Sequence, residues 1–98
     1  MKGDTIGIKQ LFRLLGKKGT IEILKMLRDR NKTQYKDLST IDIAISTLSS
    51  RINELLRNGI IEHHLKRTDK KEEWYTLTEK GERTLEKIEE IEKIIDSN

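Results

Sequence analysis

Apolar residues recur along the chain in blocks, and the period of the blocks changes once. In residues 5–15, TIGIKQLFRLL, Ile8, Leu11, Phe12 and Leu15 fall three and four apart, the spacing of one helical face. Gly16 ends that block. Residues 19–29, GTIEILKMLRD, repeat the period through Ile21, Leu24 and Leu27 or Arg28, and Ile23 and Met26 widen the stripe, so a well-buried helix is expected. RNKT is a polar break. Thr33 stands where an N-cap would open a short helix over residues 34–38, with Tyr35 and Leu38 facing inward. After the turn-like STID, residues 43–58 read as the next helix, with Ile45, Leu48, Ile52, Leu55 and Leu56 on its inner side. Gly59 then occupies the place of a left-handed helix cap.

From residue 60 the period is two. IIEHHLKR places Ile61, His63 and Leu65 on one side of a strand and Ile60, Glu62 and His64 on the other. TDKK is a charged loop tip, and EEWYTLT reads as the returning strand. Trp74 and Tyr75 are neighbours, so they point to opposite faces, one toward the helices and one outward. Thr78 is a suitable N-cap for a long helix over residues 79–96, and Glu79 and Glu82 add negative charge where the helix dipole favours it. Gly81 has no Cβ, which lets the hairpin backbone pass close to the first turn. The order is helix, helix, short helix, helix, strand, strand, long helix. That is an α+β, mostly α, arrangement in the order of a winged helix-turn-helix, with a two-stranded wing. One domain is expected, with residues 1–78 forming the body and residues 79–98 a C-terminal dimerisation helix.

Composition narrows the function. Ninety-eight residues make one modest core, and the chain is 34% hydrophobic and 38% charged. No apolar run nears the ~20 residues of a membrane span, and the first residues carry no secretory pattern, so a cytoplasmic setting without membrane partners is expected. The absence of cysteine excludes disulfides, cysteine-ligated zinc and thiol sensing. The net charge of +3 is unevenly distributed: residues 1–71 carry 16 basic and 8 acidic residues, a net +8, and residues 72–98 carry 4 and 9, a net −5. A basic body with an acidic tail suits one surface that meets a polyanion and another turned away from it.

Candidate sites follow that polarity. In the helix over residues 43–58, Ser46, Thr47, Ser50, Asn53 and Arg57 lie opposite the apolar stripe, with Arg51 at its flank. Small or hydrogen-bonding side chains without a carboxylate suit entry into a major groove, and Arg51 is expected as the first base contact. Around the hairpin tip, Lys66, Arg67, Lys70 and Lys71 suit backbone or minor-groove contact, although lysines also protect sheet edges. Thr33, Gln34 and Tyr35 at a helix start, with Lys32, and Lys17 and Lys18 before another, are candidate phosphate anchors. His63 and His64 face opposite ways and cannot easily share a metal, and no metal or other cofactor is expected. No nucleophile, phosphate-loop or metalloprotease motif is present, so an enzyme is not expected. On the last helix, Leu85, Ile88, Ile91 and Ile95 form a seam wanting a partner helix, and with Ile8, Leu11 and Phe12 they form the expected homodimer interface.

The segments GKKGTIEILKML, STLSSRINELLRNGIIEHH and EEWYTLTEKGERTLEKI resemble the HxlR-type branch of winged helix regulators, within the wider MarR/ArsR-like and PadR-like groups. The resemblance spans roughly residues 15–90, and its most specific part is LSSRINELLRNGII followed at hairpin distance by YTLTEKG. It implies a dimeric transcription regulator bound to pseudo-palindromic double-stranded DNA. Gly19 replaces the aromatic residue usual after GKK, Ile45 replaces a common proline, and the cysteine of redox-sensing members is missing. The leading expectation is therefore a homodimeric, sequence-specific regulator acting as a repressor. Two alternatives stand beside it: an architectural DNA-binding protein, and a winged helix used for protein interaction.

Overall fold

The computed structural model describes residues 3–30 and 32–97; Asn31, part of the polar break, lies outside them. Five helices and one hairpin follow the expected order: α1 (Gly3–Leu15), α2 (Thr20–Asp29), α3 (Tyr35–Leu38), α4 (Ile45–Arg57), β1 (Ile61–Arg67), β2 (Lys71–Leu77) and α5 (Glu79–Asp96). The winged helix architecture read from the periods is the one observed.

The core is aliphatic. Ile23, Leu24 and Leu27 of α2, Leu38 of α3 and Leu48, Ile52 and Leu55 of α4 are buried together with Leu14, Ile60, Ile61 and Leu85. Burying a side chain of this kind stabilises the fold by about 1.5–3 kcal/mol. Thr20, rather than Ile21, completes the inner face of α2; its hydroxyl is buried and donates to the Leu14 carbonyl at 2.8 Å. That bond ties the start of α2 to the end of α1.

Both ends of α4 follow local rules. Its C-terminus closes as a Schellman motif: Ile60 N–H donates to Leu55 O at 3.0 Å and Gly59 N–H to Leu56 O at 3.1 Å, with Gly59 at φ +70°. Ile60 lies in this turn, not in the strand; both Ile60 and Ile61 are buried, and the rest of β1, Leu65 included, is exposed apart from half-buried His64. At the other end Ile45 is 57% exposed, against the expectation that it faces the core. It is the first residue of α4, where the helix has only begun to cross the core, and Ile43 in the preceding loop packs there instead.

The hairpin is antiparallel in the register Ile61↔Leu77 to Arg67↔Lys71, so Lys71 lies in the strand and only Thr68, Asp69 and Lys70 form the tip. A bridge from Thr33 to Tyr75 borders the other edge of β2. Trp74 and Tyr75 do face opposite ways. Tyr75 packs against the core beside His63, whereas Trp74 stacks on His64 with ring centres 5.2 Å apart and carries the Lys32 ammonium 4.5 Å from its ring.

The hairpin-to-α5 junction is built as its residues imply. Thr78 Oγ1 accepts from Gly81 N–H at 3.0 Å, and the Thr78 hydroxyl and amide both reach the Ile60 carbonyl. Gly81 is buried against that carbonyl, and a Cβ there would stand 2.1 Å from the oxygen. Leu85 consequently points into the chain's own core, which removes it from the expected intermolecular seam. Leu11 and Ile88 are partly buried against the same core.

Candidate nucleic-acid interface

The core holds α4 by one face and leaves the other bare. Ser46, Ser50, Asn53 and Arg57 are exposed and Thr47 is half-buried, as expected. Arg51 differs. Its side chain is only 15% exposed, with Nε donating to the Lys18 carbonyl at 3.1 Å and Nη1 to Glu54 at 3.2 Å. A guanidinium fixed to the protein's own backbone and carboxylate is not presented to a base, because its position at the flank of the apolar stripe brings it against the α1–α2 turn.

Glu54 is a carboxylate within this face, where none is expected from the sequence. It follows Thr47 by seven residues and Ser50 by four, so it projects between them. It shares a cleft with Lys17, Ser50, Arg51, Asn53 and Arg57. Lys17 Nζ meets Glu54 Oε2 at 2.8 Å. The Lys17 hydrogen bond, outweighing partial desolvation, and the nearby charges of Lys17 and Arg51 hold the Glu54 carboxyl below its ordinary range. The signal in the sequence was the Arg51–Glu54 spacing of three, a helical ion-pair spacing.

The expected anchors at α3 are partly withdrawn. Thr33 is fully buried, and its Oγ1 has no hydrogen-bond partner among the described residues. It is not the N-cap. Gln34 takes that place in a capping box with Asp37, whose carboxylate accepts the Gln34 N–H at 2.8 Å. The amide intended for a phosphate is thus already satisfied by an acid. Tyr35 is exposed instead of inward, and its hydroxyl is 2.8 Å from Ser49 Oγ. Lys32 pairs with Glu72 at 3.5 Å and covers Trp74, while Lys18 is exposed.

The wing keeps its charges. Lys66, Arg67 and Lys70 have no ion-pair partner among the described residues, and neither has Arg57; Lys71 pairs with Glu73 at 3.6 Å. His63 and His64 have separate partners on opposite faces, Glu73 at 2.9 Å and Thr76 at 2.7 Å.

A helix-turn-helix whose second helix is solvent-facing and polar, followed by a cationic hairpin, defines a winged helix DNA-binding domain. The chain belongs to the winged helix-turn-helix family: the family's profile matches residues 18–96. It is 36% identical over 88 residues to an uncharacterized HTH-type transcriptional regulator, MJ0925, of Methanocaldococcus jannaschii, covering 85% of this chain and 76% of that protein. The reduced form of the transcriptional regulator YodB from B. subtilis superposes with a TM-score of 0.76 at 29% identity, over 86% of this chain and 83% of that one. HlyU from Vibrio cholerae shares the fold alone, with a TM-score of 0.65 at 20% identity over 93% and 97% of the two chains. The chain is thus a transcription regulator by family, not an enzyme. No helix among the described residues is long and apolar enough to cross a membrane.

Proposed function

We propose that the protein acts as a homodimer that binds double-stranded DNA with sequence preference and represses transcription. The observation that carries this reading is the bare face of α4, polar and free of unpaired carboxylate, on a helix whose other face is anchored in the core. Ser46, Thr47, Ser50 and Asn53 are the base-facing candidates. Ile45, exposed at the leading end of α4, adds an apolar group suited to a thymine methyl. Lys66, Arg67 and Lys70, with Lys71, are the wing's contacts to phosphate or the minor groove, and Arg57 and Lys18 are backbone contacts, whereas Lys17 is held by Glu54. Residues 1–78 act as the DNA-binding body and residues 79–98 as the dimerisation helix. A homodimer then reads two half-sites about one helical turn apart, or a small multiple of it. A repressor needs only to occupy such a site.

One observation favours a second reading, a DNA-packaging role. With Arg51 held internally, the serine-rich face has few groups able to discriminate bases. Selection from a random-sequence duplex pool at several salt concentrations separates the two. Enrichment of a two-fold symmetric motif supports the regulator. Salt-sensitive binding with no motif supports packaging. No binding at low salt by folded protein overturns both.

A further inference from the structure

The carboxylate in the middle of the candidate DNA face calls for a role. We propose that Glu54 is a specificity-determining residue: it holds Lys17 and Arg51 in an internal ion cluster and so suppresses binding to generic phosphate backbone. The inference rests on the DNA-binding reading above.

Glu54 is the carboxylate that α4 contributes, and it lies among the residues best placed to meet DNA. Both its oxygens are engaged, Oε2 by Lys17 at 2.8 Å and Oε1 by Arg51 at 3.2 Å. Arg51 is fixed further by its bond to the Lys18 carbonyl. Two cations that would otherwise be available to any phosphate are therefore committed to the protein, and their cluster carries one net positive charge instead of two. A phosphate approaching it must displace Glu54 or sit beside an ionised carboxylate. Random sequence gives no compensating base contacts. At a correct site, the contacts of Ser46, Thr47, Ser50 and Asn53 remain, so the penalty falls mainly on non-specific binding. A purely structural role is a weaker account of the same pairs, because partly exposed ion pairs contribute only ~0–1 kcal/mol to stability.

The test measures binding of wild type and Glu54→Gln to random duplex and to the selected motif across a salt series. Glu90→Gln, the same charge change on the exposed side of α5, controls for net charge. With Glu54→Gln we expect the salt slope on random duplex to steepen by ~1 per chain, and affinity at 0.1 M salt to rise roughly tenfold per chain. The ratio of motif to random affinity should fall, and Glu90→Gln should leave both quantities near wild type. Glu54→Asp, too short to span both cations, should move both quantities in the same direction by less. It replaces Glu54→Gln should that variant fail to give a cooperative melt. Unchanged or weaker random-duplex binding by the folded variants, beside a wild type that binds, overturns this inference alone. A wild type that binds no duplex at low salt overturns it together with the DNA reading.

Discussion

At the scale of single residues, two side chains make opposite predictions about stability. Glu54 gains favourable interactions only when ionised, since Lys17, first, and Arg51 depress its proton affinity in the folded state. Above the ordinary carboxylate range both folded and unfolded chains carry the charge, and the folded state has the full benefit. As pH falls through the folded-state value the benefit is lost. The melting temperature of wild type should therefore exceed that of Glu54→Gln at neutral pH, and the gap should close in acid below the ordinary Glu value. A gap that is constant with pH would mean that packing, not charge, distinguishes the two. Thr33 is the converse case. Its buried Oγ1 finds no partner among the described residues, so its hydration is lost with nothing gained. Thr33→Val keeps the shape and should stabilise the fold by about 1 kcal/mol in denaturant unfolding. A loss instead would reveal a bridging water at that site.

At the scale of elements, junctions decide more than helix interiors. Gly81→Ala places a methyl group against the Ile60 carbonyl, and β1 cannot retreat without opening the Schellman turn behind it. The expected cost is about 3 kcal/mol. Gly7→Ala, in α1 with open space where its Cβ would lie, should instead gain about 0.5–1 kcal/mol from helix propensity. Thermal melts of the two variants check both signs. These junctions were legible from sequence because each depends on near neighbours: Thr78 with Gly81, or Gly59 with the turn of helix before it. The α4 stripe was legible too, through Leu48, Ile52 and Leu55. What sequence did not reveal were contacts across long separations. Arg51 finds Lys18, and Glu54 finds Lys17, 37 residues away. Thr33 is covered by β2, and Leu85 by the core. Ile45 counts as apolar in any periodic pattern, and only its place ahead of the core leaves it in solvent. The solvent-facing polar side of α4 was therefore legible in outline, while the internal commitment of two cations beside it was not.

At the scale of the molecule, α5 has two halves with different surroundings. Its first turns are held by the body, through buried Leu85 and half-buried Ile88, and two ion pairs tie it to α2, Arg28 with Glu89 and Lys25 with Glu92 at 3.1 Å. Between and beyond these pairs, Ile91 is 56% and Ile95 65% exposed, and Ile94 is exposed beside them. On α1, Ile8 and Phe12 are also exposed, Phe12 at 70%. Since α1 packs on α2 and α4 while α5 packs on α2 and β2, neither helix provides the main cover for the other's apolar residues. A second copy of the chain brings the same isoleucines and can close both faces at once by two-fold symmetry. In the proposed dimer, the acidic surround of α5, within a segment of net charge −5, would turn away from DNA and the basic body toward it. Ile91→Ser combined with Ile95→Ser should therefore yield a folded monomer in sedimentation equilibrium, because neither side chain belongs to the monomer's core. Leu85→Ala should instead destabilise the body by about 2–5 kcal/mol, because it opens a cavity. The monomer should retain its salt-dependent affinity for random duplex but lose its preference for paired half-sites. A double variant that stays dimeric would place the interface elsewhere. A wild type that is monomeric at the concentrations of the DNA assay would remove the symmetry argument for a two-half-site operator.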